Sequence, residues 1–198
     1  MQSPLIGYFG YGSLVNRATL SSSVVAAFPA RLNGWKRTWR PRPRMEGETV
    51  LPLSPSLLTA HRAPDRAIDG LLVVDGADRL GDLDAREFRY HRRDVCLSDF
   101  EFLAEVPQID MRVHVYEARV ELPPVDGPAP ILRSYLDAVM QGFLREFGEA
   151  GLRRFVAETE AFHTPIHEDR HAPVYSRSVD LQSGEAELFD AVLPGPAR

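Results

Sequence analysis

The chain has 198 residues, which is the length of one domain with at most a modest extension. Hydrophobic residues at 44% and charged residues at 26% are ordinary globular values, so a disordered, collagen-like or coiled-coil chain is excluded. The net charge of −5 disfavours binding to nucleic acid or anionic membranes by the molecule as a whole, and the single cysteine, Cys96, excludes an internal disulfide and a cysteine metal cluster.

The amino-terminal segment has neither the positive region of a signal peptide nor the length of a membrane span. Glycines at positions 7, 10 and 12 interrupt its apolar stretch. We therefore expect a single domain over 1–198, located in the reducing cytoplasm, with no membrane or nucleic-acid partner.

The predicted elements mix many strands with few helices. The first strand is the apolar and aromatic run 5–11, which ends in a glycine-rich turn. Further strands are predicted at 30–40, 49–54, 68–75, 92–97, 100–106 and 111–122, the last with a bulge near Tyr116, where the apolar alternation changes phase. Helices are predicted at about 77–87, 131–147 and 149–161. This arrangement favours an α+β fold over a regular doubly wound sheet.

The turn after the first strand does not fit the familiar catalytic glycine motifs. Val15 stands where a dinucleotide fingerprint needs its third glycine, and no Gly-Lys-Ser/Thr follows for a P-loop. A nucleophile elbow around Ser13 would need glycine at both Tyr11 and Val15. The glycines would let backbone N–H groups approach a carboxylate or oxyanion closely, but an ordinary glycine turn fits the pattern equally well.

Glu87 is a candidate acid/base group. Leu80, Leu83 and Glu87 have the spacing i, i+3 and i+7, so a helix through 87 would place the carboxylate on its apolar stripe. Burial there would raise the carboxyl pKa and make Glu87 a better base. The alternative is that the helix ends by residue 86 and that Glu87 is solvated or paired with Arg86 or another nearby arginine.

Two segments in this order resemble the γ-glutamylcyclotransferase superfamily, which includes ChaC-like enzymes. Residues 8–14 resemble its FGYGSL strand and loop, and 83–87, with the sequence LDARE, resemble its LDxRE segment. The likeness extends to the strand at 68–74, to 130–142 and to 169–177, so it covers most of the chain.

The resemblance implies a fold, a reaction and a set of site residues. The fold would be a small mixed β-barrel flanked by helices. The reaction would be cleavage of γ-glutamyl amides to 5-oxoproline and a free amine without metal or cofactor, and Glu87 would be the general acid/base. The residues implied to bind substrate are Tyr8, Phe9, Gly10, Tyr11, Gly12, Ser13, Leu14 and Tyr135.

Departures from the family pattern leave the substrate open. Phe88 follows Glu87 where the family commonly has glycine, and Val15-Asn16 stands where ChaC-like proteins usually have a tryptophan. Glutathione, γ-glutamyl amino acids, γ-glutamyl amines and specialised metabolites are all candidates. The arginines at 86, 89, 92 and 93 would favour an acidic substrate tail, unless they form a solvated basic face. The oligomeric state is not indicated.

Three other interpretations fit parts of the sequence. The chain could be a non-catalytic γ-glutamyl-binding or protein-interaction domain on the same fold. The segment 35–44 interleaves five cations with two tryptophans, as nucleic-acid platforms do, but we favour a strand with Trp35 inward and a solvated cationic face.

His163, His167 and His171 are spaced as metal ligands on a helix, but Pro165 breaks such a helix. We therefore expect no metal there and interpret 163–198 as a segment that covers the pocket.

Overall fold

The computed structural model describes residues 4–48, 53–103 and 111–195, which form an α+β fold as the sequence predicted. The strands are β1 Leu5–Gly10, β2 Ala26–Pro41, β3 Ser56–Gly76, β4 Tyr90–Val95, β5 Phe100–Phe102, β6 Arg112–Ala118, β7 Ile131–Leu132, β8 Thr159–Glu160 and β9 Ile166–His167. The helices are α1 Leu80–Arg86, α2 Arg133–Glu158 and α3 Glu185–Val192. None of these helices is both long and apolar enough to cross a membrane.

One mixed sheet forms the centre of the fold. Its order is β4-β6-β1-β3-β2-β5, and β8 also pairs with β2. β1 runs antiparallel to β3 and parallel to β6, while β7 and β9 form a separate parallel pair. The edge strands β4 and β5 do not pair with each other within the described residues. The predicted barrel is therefore wrong, because the sheet stays open.

The long hairpin of β2 and β3 is the largest unit of the sheet. Pairing extends from Ala26 opposite Val74 to Pro41 opposite Ser56 and has a register shift between Asn33 and Trp35. The sequence predicted only 30–40 and 68–75 of these strands, because the middle of β3 is polar and lacks an apolar pattern. The strand predicted at 49–54 and the end of that at 100–106 reach outside the described residues.

The predicted bulge in β6 is wrong. β6 pairs with β4 from Tyr90 opposite Ala118 to Val95 opposite Val113 without a register shift. Val113 and Val115 lie on one face of β6, Tyr116 and Ala118 on the other, and all four are buried. The apolar alternation changes phase because both faces of the strand are covered.

Helix α2 packs against the sheet and contains the break that the sequence predicted. Its backbone leaves helical geometry at Gly148, where φ is +64°. Leu136, Val139, Met140 and Phe143 on its first half are fully buried. The final helix, α3, was not predicted, although Phe189 within it is fully buried in the core.

The inward face of β2 carries a buried cation. Trp35, Arg37 and Trp39 alternate along the strand and are all buried, so the expectation of a solvated cationic face is wrong for Arg37. Burial lowers the pKa of Arg37 to about 10, and the side chain therefore remains charged at neutral pH.

The guanidinium of Arg37 joins β2 to three other parts of the fold. Its Nη1 donates to the carbonyl of Tyr11, 3.1 Å away, and to that of Asp69 in β3, also 3.1 Å away. Its Nε donates over 2.8 Å to Oγ1 of Thr159, which caps the end of α2 and begins β8. The rings of Phe143 and Phe155 lie 4.8 and 4.6 Å from its central carbon. Sheet, helix and the turn after β1 are thus fixed to one group.

The contact between α2 and the turn after β1 yields a stability prediction. A Cβ at Gly142 would lie 2.6 Å from the backbone nitrogen of Asn16, whereas a Cβ at Gly81 in α1 meets nothing within 4 Å. We expect Gly142→Ala to lower the free energy of unfolding by about 1–3 kcal/mol, and Gly81→Ala to raise it by up to about 1 kcal/mol. Urea denaturation measures both, and equal effects of the two substitutions would contradict this packing.

Candidate active site

The turn after β1 presents backbone N–H groups. Gly12 precedes a short 3-10 turn over Ser13–Val15, whose first hydrogen bonds run from Val15 N to Gly12 O and from Asn16 N to Ser13 O, both 3.0 Å. The N–H groups of Gly12 and Leu14 come before these bonds and are not used by them, whereas that of Ser13 is hydrogen-bonded to Tyr135. Because Arg37 holds the Tyr11 carbonyl, the N–H of Gly12 in the same peptide unit points away from Arg37.

Asn16 fixes this turn to α2. Its Nδ2 donates to the carbonyl of Ala138 over 2.9 Å and to Oε1 of Gln141 over 3.0 Å, while its Oδ1 accepts from Ala18 N over 3.0 Å. Asn16 is 1% exposed, so these bonds are shielded from water. The turn therefore has a fixed position relative to the helix that carries Tyr135.

The Tyr135 hydroxyl lies against the turn. A Cβ on Gly12 would be 2.7 Å from this oxygen, so only glycine allows the tyrosine to approach here. The ring of Tyr135 packs edge-to-face on Trp39 and Tyr175, with centroids 5.8 and 5.0 Å apart. Burial raises the pKa of Tyr135, and the nearby Tyr175 and Glu87 raise it further. Hydrogen bonds from Ser13 lower this pKa by less, so the hydroxyl stays protonated at neutral pH.

Glu87 is placed by the end of α1 rather than by its apolar stripe. The helix ends at Arg86, and the Glu87 N–H still donates to the Leu83 carbonyl over 2.9 Å. Of the two arrangements that the sequence left open, the structure has the one in which the helix ends by residue 86 and Glu87 is paired with Arg86, with Nε 3.1 Å from Oε1. The Glu87 side chain is nevertheless only 17% exposed.

Opposing effects act on the Glu87 carboxylate. Burial raises its pKa, while the positive charges of Arg86 and then Arg177 lower it, and burial is the larger effect. The carboxyl pKa is therefore above its ordinary value. A carboxylate in this condition accepts a proton more readily than a solvated one.

Glu87 and the turn after β1 face one pocket. Its lining consists of Phe9, Gly10, Tyr11, Gly12, Ser13, Leu14, Leu58, Glu87, Tyr90, Tyr116 and Tyr135. About 340 Å³ of space in the pocket is free of protein atoms, part of it open to solvent. Among the residues that the resemblance implied, only Tyr8 lies outside this lining.

Tyr8 lines a neighbouring pocket. Consecutive residues of a strand point to opposite faces, so Tyr8 and Phe9 cannot face the same cavity. The pocket of Tyr8 also contains Asp75, Arg86 and Arg177. Burial and the Asp75 carboxylate raise the Tyr8 pKa to about 12.

Sequence reasoning missed two tyrosines of the site. The Tyr90 hydroxyl donates to the Leu58 carbonyl over 3.0 Å, and that of Tyr11 donates to the Tyr116 carbonyl. The change of phase at Tyr116 in the apolar alternation was the available signal, since it marks a second buried face. Tyr90 gave no such signal, because it begins an otherwise polar strand.

The histidine segment is joined to the start of α2 through Asp169. No group of three or more His, Cys, Asp or Glu in the described part of the chain is placed to hold a metal ion. Asp169 instead accepts from the Ser134 backbone N–H over 2.8 Å, from the Ser134 hydroxyl over 2.5 Å and from Val174 N over 2.9 Å. Tyr175 N donates to the same hydroxyl over 3.2 Å. These bonds hold the segment at the start of α2.

Solved structures similar to this chain share its fold. One is a gamma-glutamyl cyclotransferase, with a TM-score of 0.51 and 15% identity over 94% of this chain and 99% of that one. Another is YkqA from Bacillus subtilis, with a TM-score of 0.51 and 19% identity over 79% of this chain and 56% of that one. No family model matches the sequence, and no curated protein matches it. The resemblance seen in the sequence is thus confirmed for the fold, which is γ-glutamylcyclotransferase-like.

The pKa of Glu87 yields a stability prediction of definite sign. A carboxyl whose pKa is raised by folding destabilises the folded protein above that pKa and has no such effect below the unfolded pKa. We therefore expect Glu87→Gln to raise the melting temperature at pH 7–8, with a gain that disappears as the pH falls through the ordinary carboxyl range.

Glu117 supplies a control of opposite sign. Burial raises the pKa of Glu117, but hydrogen bonds from Arg93 and His61 outweigh it and lower the pKa overall. Glu117→Gln should lower the melting temperature at neutral pH, and the loss should shrink at acid pH. Thermal denaturation across pH checks both variants, and a loss of stability in Glu87→Gln at pH 7–8 would contradict the raised pKa.

Proposed function

Starting from this fold, we propose that the protein cleaves γ-glutamyl amides to 5-oxoproline and a free amine. A fold by itself does not determine activity. The observation that carries the proposal is that the mostly buried Glu87 lines the same pocket as residues 12–14 of the turn. A proton acceptor and backbone oxyanion donors would thus meet in one small space.

The turn and Tyr135 would hold the γ-glutamyl group. The backbone N–H groups of Gly12 and Leu14 would receive the α-carboxylate or the oxyanion that forms at the γ-carbonyl. The Tyr135 hydroxyl, which remains protonated, would be a further donor beside them. Phe9, Leu14 and Leu58 line the pocket as its apolar members and would pack against the methylene chain.

Glu87 would move the protons. Its carboxylate takes a proton from the substrate α-ammonium, the amine then attacks the γ-carbonyl carbon, and a ring C–N bond forms. Collapse of the tetrahedral oxyanion breaks the original amide C–N bond as Glu87 gives its proton to the leaving nitrogen, and Glu87 then takes the second proton from the ring nitrogen and passes it to the departing amine. The ring nitrogen keeps one of three ammonium hydrogens, and the leaving amine gains the other two. The reaction needs no metal, cofactor or nucleophile from the protein.

Orientation would contribute more to the rate than proton transfer. Holding the amine next to the γ-carbonyl for ring closure can lower a barrier by roughly 7–11 kcal/mol. A positioned acid/base group typically contributes about 10²- to 10⁴-fold. The fixed turn, tied to Arg37 and Asn16, is therefore as important to the proposal as the carboxylate.

The proposal is tested by measuring release of 5-oxoproline by mass spectrometry from glutathione, γ-glutamyl amino acids and γ-glutamyl amines. We expect turnover of at least one class, and a loss of about 10²- to 10⁴-fold in Glu87→Gln. Glu117→Gln, which removes a carboxylate outside the pocket, should retain the wild-type rate.

Two results would contradict this proposal. Activity that survives in Glu87→Gln would remove Glu87 from the proton transfers. A folded wild-type protein that turns over none of the panel yet binds γ-glutamyl compounds would indicate the alternative, a non-catalytic γ-glutamyl-binding domain.

The pH dependence of kcat/KM supplies an independent prediction. Because the ionised form of Glu87 is required, kcat/KM should fall as the pH drops through its pKa. The Arg86 charge lowers that pKa, so Arg86→Gln should move the acid limb to higher pH. Arg92→Gln, which removes an arginine paired with Asp84, should leave the limb in place. An unmoved limb in Arg86→Gln would contradict the assignment of the limb to Glu87.

A further inference from the structure

The pocket of Tyr8 is a cavity that the proposed reaction does not use. About 700 Å³ of space in it is free of protein atoms, part of it open to solvent. Its lining includes the polar side chains of Tyr8, Asp75, Arg86 and Arg177 and the apolar side chains of Leu20 and Leu83. No residue lines both this pocket and the pocket of Glu87, so the two are separate sites.

The Tyr8 hydroxyl is a buried donor without an acceptor. Tyr8 is 4% exposed, and its hydroxyl forms no hydrogen bond with any residue that the structure describes. Burial, with a smaller contribution from Asp75, raises its pKa to about 12, so the group stays protonated at neutral pH. Buried hydroxyls are nearly always paired with protein, water or ligand. A ligand with an acceptor group would satisfy this donor.

Asp75 lies on the same face of the sheet as Tyr8. It is paired with Ile6 in the ladder of β1 and β3, and Ile6 and Tyr8 point to one face because they are two residues apart. Asp75 is 6% exposed, and its Oδ1 accepts from Gly76 N over 2.8 Å. Within the described part of the chain no group donates to its Oδ2. A buried carboxylate oxygen requires a donor, and an ammonium group is a strong one.

Two arginines bring the opposite charge to this pocket. Arg86 is 17% exposed, with its Nε 3.1 Å from Oε1 of Glu87 and its Nη1 3.4 Å from the Thr19 carbonyl, so neither contact uses Nη2. Arg177 is exposed and forms no ion pair or hydrogen bond with the described residues. Burial has the largest effect on the Tyr8 pKa, but Asp75 also raises it and Arg86 lowers it. A negative and a positive group are therefore both close to the Tyr8 hydroxyl.

This mixture of charges favours a zwitterionic ligand. Arg79 and Asp82, which also line the pocket, are both exposed and lie 3.4 Å from each other, so their charges offset. A purely anionic ligand would be repelled by Asp75, and a purely cationic one would be repelled by the arginines. An α-amino acid carries both charges, and the two leucines of the pocket offer apolar surface to its side chain.

We propose that the pocket of Tyr8 binds a free α-amino acid with an aliphatic side chain. Its ammonium group donates to Oδ2 of Asp75, and its carboxylate accepts from Arg177, Arg86 and the Tyr8 hydroxyl. Because Arg86 also pairs with Glu87, the bound amino acid contacts a direct neighbour of the candidate acid/base group. The site itself does not rest on the proposed function, since no residue that lines the pocket of Glu87 takes part in it.

Calorimetry with L-leucine and two compounds that each lack one of its charges tests the inference. The first, 4-methylpentanoate, lacks the ammonium group, and the second, 3-methylbutylamine, lacks the carboxylate. We expect saturable binding of L-leucine, about 10- to 100-fold tighter than that of either compound, because each end makes charge-assisted hydrogen bonds. Absent binding of L-leucine, or equal binding of L-leucine and 4-methylpentanoate, would overturn the inference.

Two substitutions assign the charged ends of the ligand. Arg177→Met should weaken binding of L-leucine about tenfold or more and remove its advantage over 3-methylbutylamine. Asp75→Asn should remove the advantage over 4-methylpentanoate. Since Arg177 is exposed, Arg177→Met keeps the fold even if the buried Asp75→Asn does not. Arg153→Met, which removes an exposed arginine of α2, is the matched control and should bind L-leucine as the wild type does. Unchanged affinity in Arg177→Met would contradict the site.

A pair of tyrosine substitutions separates this site from the pocket of Glu87. Tyr8→Phe should weaken binding of L-leucine by about 3- to 10-fold. Tyr135→Phe, the same change in the pocket of Glu87, should leave the affinity unchanged. The reverse result would place L-leucine in the pocket of Glu87 and overturn the inference. These measurements need no turnover, so they decide the site even if no γ-glutamyl compound yields 5-oxoproline and the proposed function fails.

Discussion

The buried guanidinium of Arg37 is the interaction on which the site depends. A fully buried cation is costly unless its donors are satisfied, and here Nη1 donates to the Tyr11 and Asp69 carbonyls and Nε to the Thr159 hydroxyl, while Nη2 has no hydrogen-bond partner within the described residues. These acceptors lie on the turn after β1, on β3 and at the end of α2. Satisfying one charge therefore requires all three elements to be in place, and the turn acquires a defined orientation as a consequence.

Burial and nearby charges set the protonation states of the groups in the pocket. The environment that raises the Glu87 pKa also holds the Tyr135 hydroxyl in its protonated form, so an acceptor and a donor coexist at neutral pH. Arg86 and Arg177 moderate the effect on Glu87 from the side of the neighbouring pocket. Proteins commonly accept such destabilised groups at sites of function, because the same burial that costs stability makes the group reactive.

Local signals in the sequence predicted some of this structure, and contacts distant in the chain determined the rest. The strand and glycine turn at 5–14 and the helix break at Gly148 follow from residues close in sequence. The burial of Arg37 required acceptors 26, 32 and 122 positions away, so alternation with Trp35 and Trp39 was its only local sign. The sheet would close into a barrel only if its two edge strands paired with each other. The alternation of apolar and polar residues within each strand does not determine this pairing. The spacing left two positions open for Glu87, within α1 or just after its end, because the end of α1 has no glycine or proline to mark it.

The most direct test of the account is a crystal structure of Glu87→Gln with γ-glutamyl-leucine bound. The account predicts that the substrate α-nitrogen lies within hydrogen-bond distance, about 2.6–3.2 Å, of the residue 87 side chain. The turn at 12–14 should contact the α-carboxylate or the γ-carbonyl oxygen through its N–H groups. A γ-glutamyl group bound in another cavity, or one whose α-nitrogen faces away from residue 87, would contradict the account.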